Sequence, residues 1–126
     1  MIQYQEGFIS AEALKYIASR LDVPTAHVYS VATFYTMFHL EPIGKFHIQV
    51  CTTLSCELCG KEDLLESIEK HLDLKCGESN EMFTISEVEC LGACGGAPAL
   101  AINDDYFEDQ TPESIVEILK GLKNDN

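Results

Sequence analysis

The chain has 126 residues, nearly half of them apolar, and carries a formal charge of −13 from 8 basic against 21 acidic side chains. That length suits one domain with its own hydrophobic core, and so acidic a surface disfavours nucleic acid and direct membrane docking while suiting a positively charged protein partner. There is no run of 18 apolar residues, no basic start and no apolar stretch before a small-residue site, so the expectation is a chain without membrane span or secretory signal, kept where thiols stay reduced.

Ser10 followed by Ala11–Leu21 reads as a helix, with Ser10 as its cap, Glu12 near the positive end and Leu14, Ile17, Ala18 and Leu21 as the apolar stripe. Pro24 opens a second apolar segment, Ala26–Phe38, helical at first, whose aromatics Tyr29, Phe34, Tyr35 and Phe38 are expected in the core. Pro42 and Gly44 break this pattern. From Lys45 the period changes to two: Phe46, Ile48 and Val50 alternate with His47, Gln49 and Cys51 as in a strand. Leu64, Leu65, Ile68 and Leu72 mark a helix over about Lys61–Leu72, and Phe83, Ile85 and Val88 mark a second strand. Pro98–Ile102 and Tyr106–Phe107 suit a short hairpin across Asn103-Asp104-Asp105. Thr111 caps a last helix that has Pro112 in its first position, Glu113 in its first turn and Ile115, Ile118, Leu119 and Leu122 facing inward. The order is two helices and then β-α-β-β-α, a helical region followed by a small mixed α/β domain.

Two close cysteine pairs, Cys51 with Cys56 (C-x4-C) and Cys90 with Cys94 (C-x3-C), directly follow the two strands. Four thiolates that converge suit a 2Fe-2S cluster or a structural zinc. The second loop runs Cys90-Leu91-Gly92-Ala93-Cys94-Gly95-Gly96-Ala97-Pro98, and such small residues let the main chain approach an inorganic core with its amides. Cys51-Thr52-Thr53-Leu54-Ser55-Cys56 offers amides and hydroxyls of the same use. The candidate contacts are thus Thr53, Ser55, Gly92, Ala93 and Gly95. Other readings stay open. Cys56-Glu57-Leu58-Cys59 is also a C-x-x-C of the thiol–disulfide kind, and Cys51, Cys56, Cys59 and Cys90 match the spacing of a plant-type ferredoxin. A Rieske centre has little support, because His27, His39, His47 and His71 form no cysteine–histidine pairs. A disulfide-built secreted domain lacks its signal. Cys76 reads as a turn residue and a spare thiol.

Gly7-Phe8-Ile9-Ser10, Val31-Ala32-Thr33-Phe34-Tyr35, the loop Cys51–Cys56, Glu89-Cys90-Leu91-Gly92-Ala93-Cys94, Ala97-Pro98 and Asn103-Asp104-Asp105-Tyr106 carry a resemblance over essentially the whole chain. The sequence resembles the thioredoxin-like 2Fe-2S ferredoxins, and among them the E-type subunits of NADH–quinone oxidoreductase, the small iron–sulfur subunits in the NADH-oxidising arm of respiratory complex I. The resemblance implies a mixed sheet with flanking helices over residues 44–126, after a helical region over 1–43 that lacks one further family helix before Ile2–Ser10. Loss of that helix is expected to uncover apolar surface. The resemblance assigns the cluster to Cys51, Cys56, Cys90 and Cys94, and leaves Cys59, as an oxidation-sensitive neighbour, and Cys76 outside the set.

The function so implied is one-electron transfer as a subunit of an NADH dehydrogenase, with no catalytic or substrate-binding site in this chain. The implied partner is a larger F-type subunit that carries FMN, binds NADH and holds a 4Fe-4S cluster; FMN and NADH would sit on that partner only. The implied setting is a multi-subunit respiratory complex, peripheral on the inner membrane at its cytoplasmic face or on the organellar matrix side. The alternatives are the equivalent subunit of a soluble NAD-linked hydrogenase or formate dehydrogenase and, in a different class, a zinc-stabilised or thiol-redox interaction module.

Overall fold

Ser10 closes its helix as its position predicts: its hydroxyl accepts from the amide of Ala13 at 3.1 Å. In the computed structural model, which describes residues 1–124, the helical elements of the first part are α1 (Ile2–Glu6), α2 (Ala11–Leu21) and α3 (Thr25–Phe34). The chain divides into two compact units between Ile43 and Gly44. In the first, α2 and α3 pack around Ile9, Leu14 and Ala32, with Ile17, Val28 and Leu40 at the edge. The Gln3 side chain fastens α1 to the segment after α3, donating to the Met37 carbonyl at 2.8 Å and accepting from the His39 amide at 2.7 Å.

The aromatics of this unit depart from expectation. Tyr29, Phe34, Tyr35 and Phe38 are not core residues; Phe34 is 78% exposed and Tyr29 54%. The reason is geometric. The helix α3 is apolar almost all round, whereas one neighbour, α2, covers only the stripe of Val28 and Ala32. Phe34 and Tyr35 instead meet edge to face, ring centres 5.1 Å apart. Between α2 and α3 an apolar groove of about 300 Å³ is lined by Ile9, Leu14, Ile17, Val28, Val31 and Phe38.

The second unit is built on a sheet. Its elements are β1 (Phe46–Cys51), α4 (Leu54–Leu58), α5 (Lys61–Leu72), β2 (Phe83–Val88), β3 (Leu100–Ile102), β4 (Asp105–Phe107) and α6 (Pro112–Asn124). The strand order is β2-β1-β3-β4, with β1 parallel to β2 and the remaining pairs antiparallel. Register places Ile48 beside Ile85 and Val50 beside Leu100. These residues join Leu64, Ile68, Ile115 and Leu119 in one core, because α5 and α6 each turn an apolar stripe to the sheet. The parallel pair positions the cysteines: β1 and β2 run the same way, so both cysteine loops leave the sheet at the same end.

Candidate metal centre

Cys51 is the last residue of β1 and is buried. Two ladder bonds continue past it and clamp the first loop from both sides: the Cys51 amide donates to the Ala99 carbonyl at 3.2 Å, and the Thr52 amide to the Val88 carbonyl at 3.0 Å. The stretch expected as a plain loop then winds into α4, a helix too short for periodicity to reveal. Cys56 lies in α4 and is buried with Cys51 and Ala99, lined by Leu91, Ala93 and Ala97. Cys59, the residue after α4, is exposed, so Cys56 and Cys59 stand in different surroundings. Cys76 is half-buried in the turn before β2.

The second pair is arranged differently. Cys90 and Cys94 are exposed, with their sulfurs 3.5 Å apart. Gly92 sits at φ 76° between them, a left-handed conformation that costs a side-chain-bearing residue about 1–2 kcal/mol. That turn aims the Gly92 amide at the Cys90 sulfur, 3.3 Å away. After Cys94 the chain tightens into a single 3-10 turn, Cys94–Gly96, in which the Gly96 amide donates to the Ala93 carbonyl at 3.0 Å. The Ala97–Pro98 peptide is cis.

Hydroxyls link the loops. Thr53 Oγ1 is 3.3 Å from the Cys51 sulfur, and it also hydrogen-bonds the Cys90 thiol of the other loop. The Ser55 hydroxyl reaches Cys94 in the same way. Burial pushes the Cys51 thiol up, but hydrogen bonds from the Thr53 hydroxyl and amide, the Leu91 amide and the Cys56 thiol outweigh it, holding Cys51 at about 7. Cys56 is raised, by burial first. Cys90 is lowered, chiefly by the Gly92 amide, and Cys94 is raised, chiefly by neighbouring Cys90.

The structure thus brings Thr53, Ser55 and Gly92 to the sulfurs. Ala93 instead gives its carbonyl to the 3-10 turn and its methyl to the apolar lining, and Gly95 lies exposed in that turn. The amides of Leu91 and Ala99, bonded to Cys51 and Cys56, are contacts that residue types did not reveal. Backbone donors leave no mark on residue type; the small residues Ala97 and Ala99 were the available hint. Among the described residues no three His, Cys, Asp or Glu groups converge as one metal ion would need.

The chain matches the family description of thioredoxin-like 2Fe-2S ferredoxins over residues 1–123. It belongs to that family. Similar ferredoxins of the family include the E-type subunit of NADH-quinone oxidoreductase from Rickettsia conorii, 49% identical over 94% of this chain and 72% of that protein. An E-type subunit of the same enzyme from Rhizobium meliloti is 47% identical over 96% of this chain and 73% of its own length. A chain of an NAD+-reducing NiFe hydrogenase in its air-oxidised state has the same fold, with a TM-score of 0.78 over 91% of this chain at 18% identity. The ferredoxin described here spans 20% of that longer chain. Its mixed α/β architecture is therefore the family's. No helix among the described residues is long and apolar enough to cross a membrane.

Proposed function

We propose that this ferredoxin is an E-type subunit of NADH–quinone oxidoreductase, a one-electron carrier whose 2Fe-2S cluster is held by Cys51, Cys56, Cys90 and Cys94. The supporting observation is the placing of four free thiols in two pairs, at the same end of the parallel strands β1 and β2. When bound, a cluster of this type supplies reversible uptake of a single electron. The chain's own residues do the rest. Cys51 and Cys56 hold their side of the site away from water, and burial opposes the added charge of reduction. The Gly92 amide and the hydroxyls of Thr53 and Ser55 donate toward sulfur and favour the more negative state. These opposed influences set the potential.

The Cys90–Cys94 side faces outward, so a redox partner gains its closest approach there. The identity of 46–49% to the rickettsial E-type subunits favours the respiratory complex over the hydrogenase setting, where the likeness is one of fold. In this reading the partner is the larger F-type subunit with FMN and NADH, and the complex sits peripherally at the inner membrane. Co-purification from native extract tests that setting: a membrane-associated NADH-oxidising assembly is expected, and a soluble hydrogenase or formate dehydrogenase would replace it.

The cluster itself is tested on anaerobically matured protein. Visible absorbance that bleaches with dithionite and an axial electron-spin signal are expected, lost in Cys94→Ser and kept in Cys59→Ser. The reverse pattern would reassign the ligands, and colourless protein containing zinc would end the electron-carrier reading.

A further inference from the structure

Lys61 opens α5, yet its side chain keeps only 6% of its exposure. Its ammonium meets three carboxylates: Glu62 Oε1 at 2.5 Å, Glu87 Oε1 at 3.1 Å and Glu57 Oε2 at 3.2 Å. Glu62 foremost, then Glu87 and Glu57, hold it protonated against the effect of burial. The position is costly on two counts. A cation in the first turn of a helix stands at the unfavourable end of the dipole, and taking an ammonium out of water is itself unfavourable. The helix does not need it for anchorage, since Leu64, Leu65, Ile68 and Leu72 already seat α5 on the core.

What the ammonium joins is informative. Glu57 lies in α4 and directly follows Cys56; Glu87 lies near the end of β2, three residues before Cys90. One nitrogen therefore spans the two segments that carry the cysteine pairs. Both carboxylates are about half exposed, 46% and 44%, so neither is driven to this spot by burial of its own. Without the cation they would repel each other, which parts the segments instead of merely releasing them.

We propose that Lys61 is a positioning residue for the iron–sulfur site: through Glu57 and Glu87 it ties the Cys56 segment to the strand leading into Cys90, and so sets the separation of the two cysteine pairs. This rests on the reading of those cysteines as cluster ligands. Lys61 touches no ligand sulfur in this arrangement; it acts through the backbone on either side.

The test uses the full chain with its cluster, comparing wild type, Lys61→Met and the double variant Glu57→Gln/Glu87→Gln. Far-UV circular dichroism reports the fold, electron spin resonance the g-values of the reduced cluster, and dithionite titration the midpoint potential. The expected result is a native circular dichroism spectrum, altered g-values in both variants, and in Lys61→Met a reduction equilibrium displaced about tenfold, or about 59 mV for one electron. Wild-type g-values in either variant overturn the proposal, even with a shifted potential, because a charge felt only through space leaves the cluster's geometry alone. Should Lys61→Met not accumulate as folded protein, the double variant decides by itself. Iron-free wild-type protein would instead sink the cluster reading, an outcome distinct from either of these.

Discussion

The loop after β1 and the loop after β2 each present two cysteines, and they are stabilised in different ways. In the first, ladder bonds to Ala99 and Val88 and the short helix α4 draw Cys51 and Cys56 into an apolar pocket. In the second, Cys90 and Cys94 stay exposed, and a left-handed glycine with one 3-10 turn supplies the shape. The first loop is held by bonds to neighbouring strands, whereas the second adds a left-handed glycine and a 3-10 turn to the packing of Leu91, Ala93 and Ala97 against the buried pair. The site therefore has a buried inner wall and an exposed outer one.

The widest gap between the loops is expected on removing one sulfur from each in the cluster-free chain. Cys56→Ala leaves the buried Ala99 amide without its acceptor and costs about 1–3 kcal/mol. Cys90→Ala, at an exposed position, leaves the urea midpoint close to that of wild type. Urea unfolding measures both, and equal losses would break the contrast. A smaller effect isolates the backbone of the second loop. Gly92→Ala forces a methyl onto a left-handed residue and destabilises by about 1–2 kcal/mol. Gly95→Ala, with nothing within 4 Å of an added methyl, changes stability by less than about 0.5 kcal/mol. Matching urea midpoints for the two glycine variants would show that conformation is not what shapes this loop.

The finest distinction concerns the link between the walls. Thr53→Val keeps the shape of the side chain but removes the hydroxyl shared by Cys51 and Cys90, a loss of about 0.5–1.5 kcal/mol. In loaded protein the potential falls, since a donor that favours the reduced state has gone. A redox titration that finds the wild-type potential would mean that the two loops act independently.

Legibility followed the range of the interactions. α2 with its Ser10 cap, α5 and α6 could be read from the sequence because a helix writes its period and its cap within a few residues. Strands β1 and β2 and the β3–β4 hairpin were readable for the same reason. The helix α4 was too short to write a period, and the aromatics of α3 were misplaced because apolar composition does not say which faces find a neighbour. At the site, the cysteine types and spacing announced the chemistry, whereas the donors around them did not: Leu91 and Ala99 act through amides that every residue except proline possesses.

By itself the sequence determined the secondary elements other than the short helices α1 and α4, the presence of two cysteine pairs after two strands, and the family resemblance, which implies four of the six thiols as ligands. Only the tertiary structure decided that one pair is buried and the other exposed, that Thr53 reaches across to Cys90, and that Lys61 lies under three carboxylates. Lys61 and Glu87 stand 26 positions apart, brought together by the parallel pairing of β1 with β2 across α5. Local pattern records which atoms a residue carries; only long-range packing determines which charges and sulfurs those atoms meet.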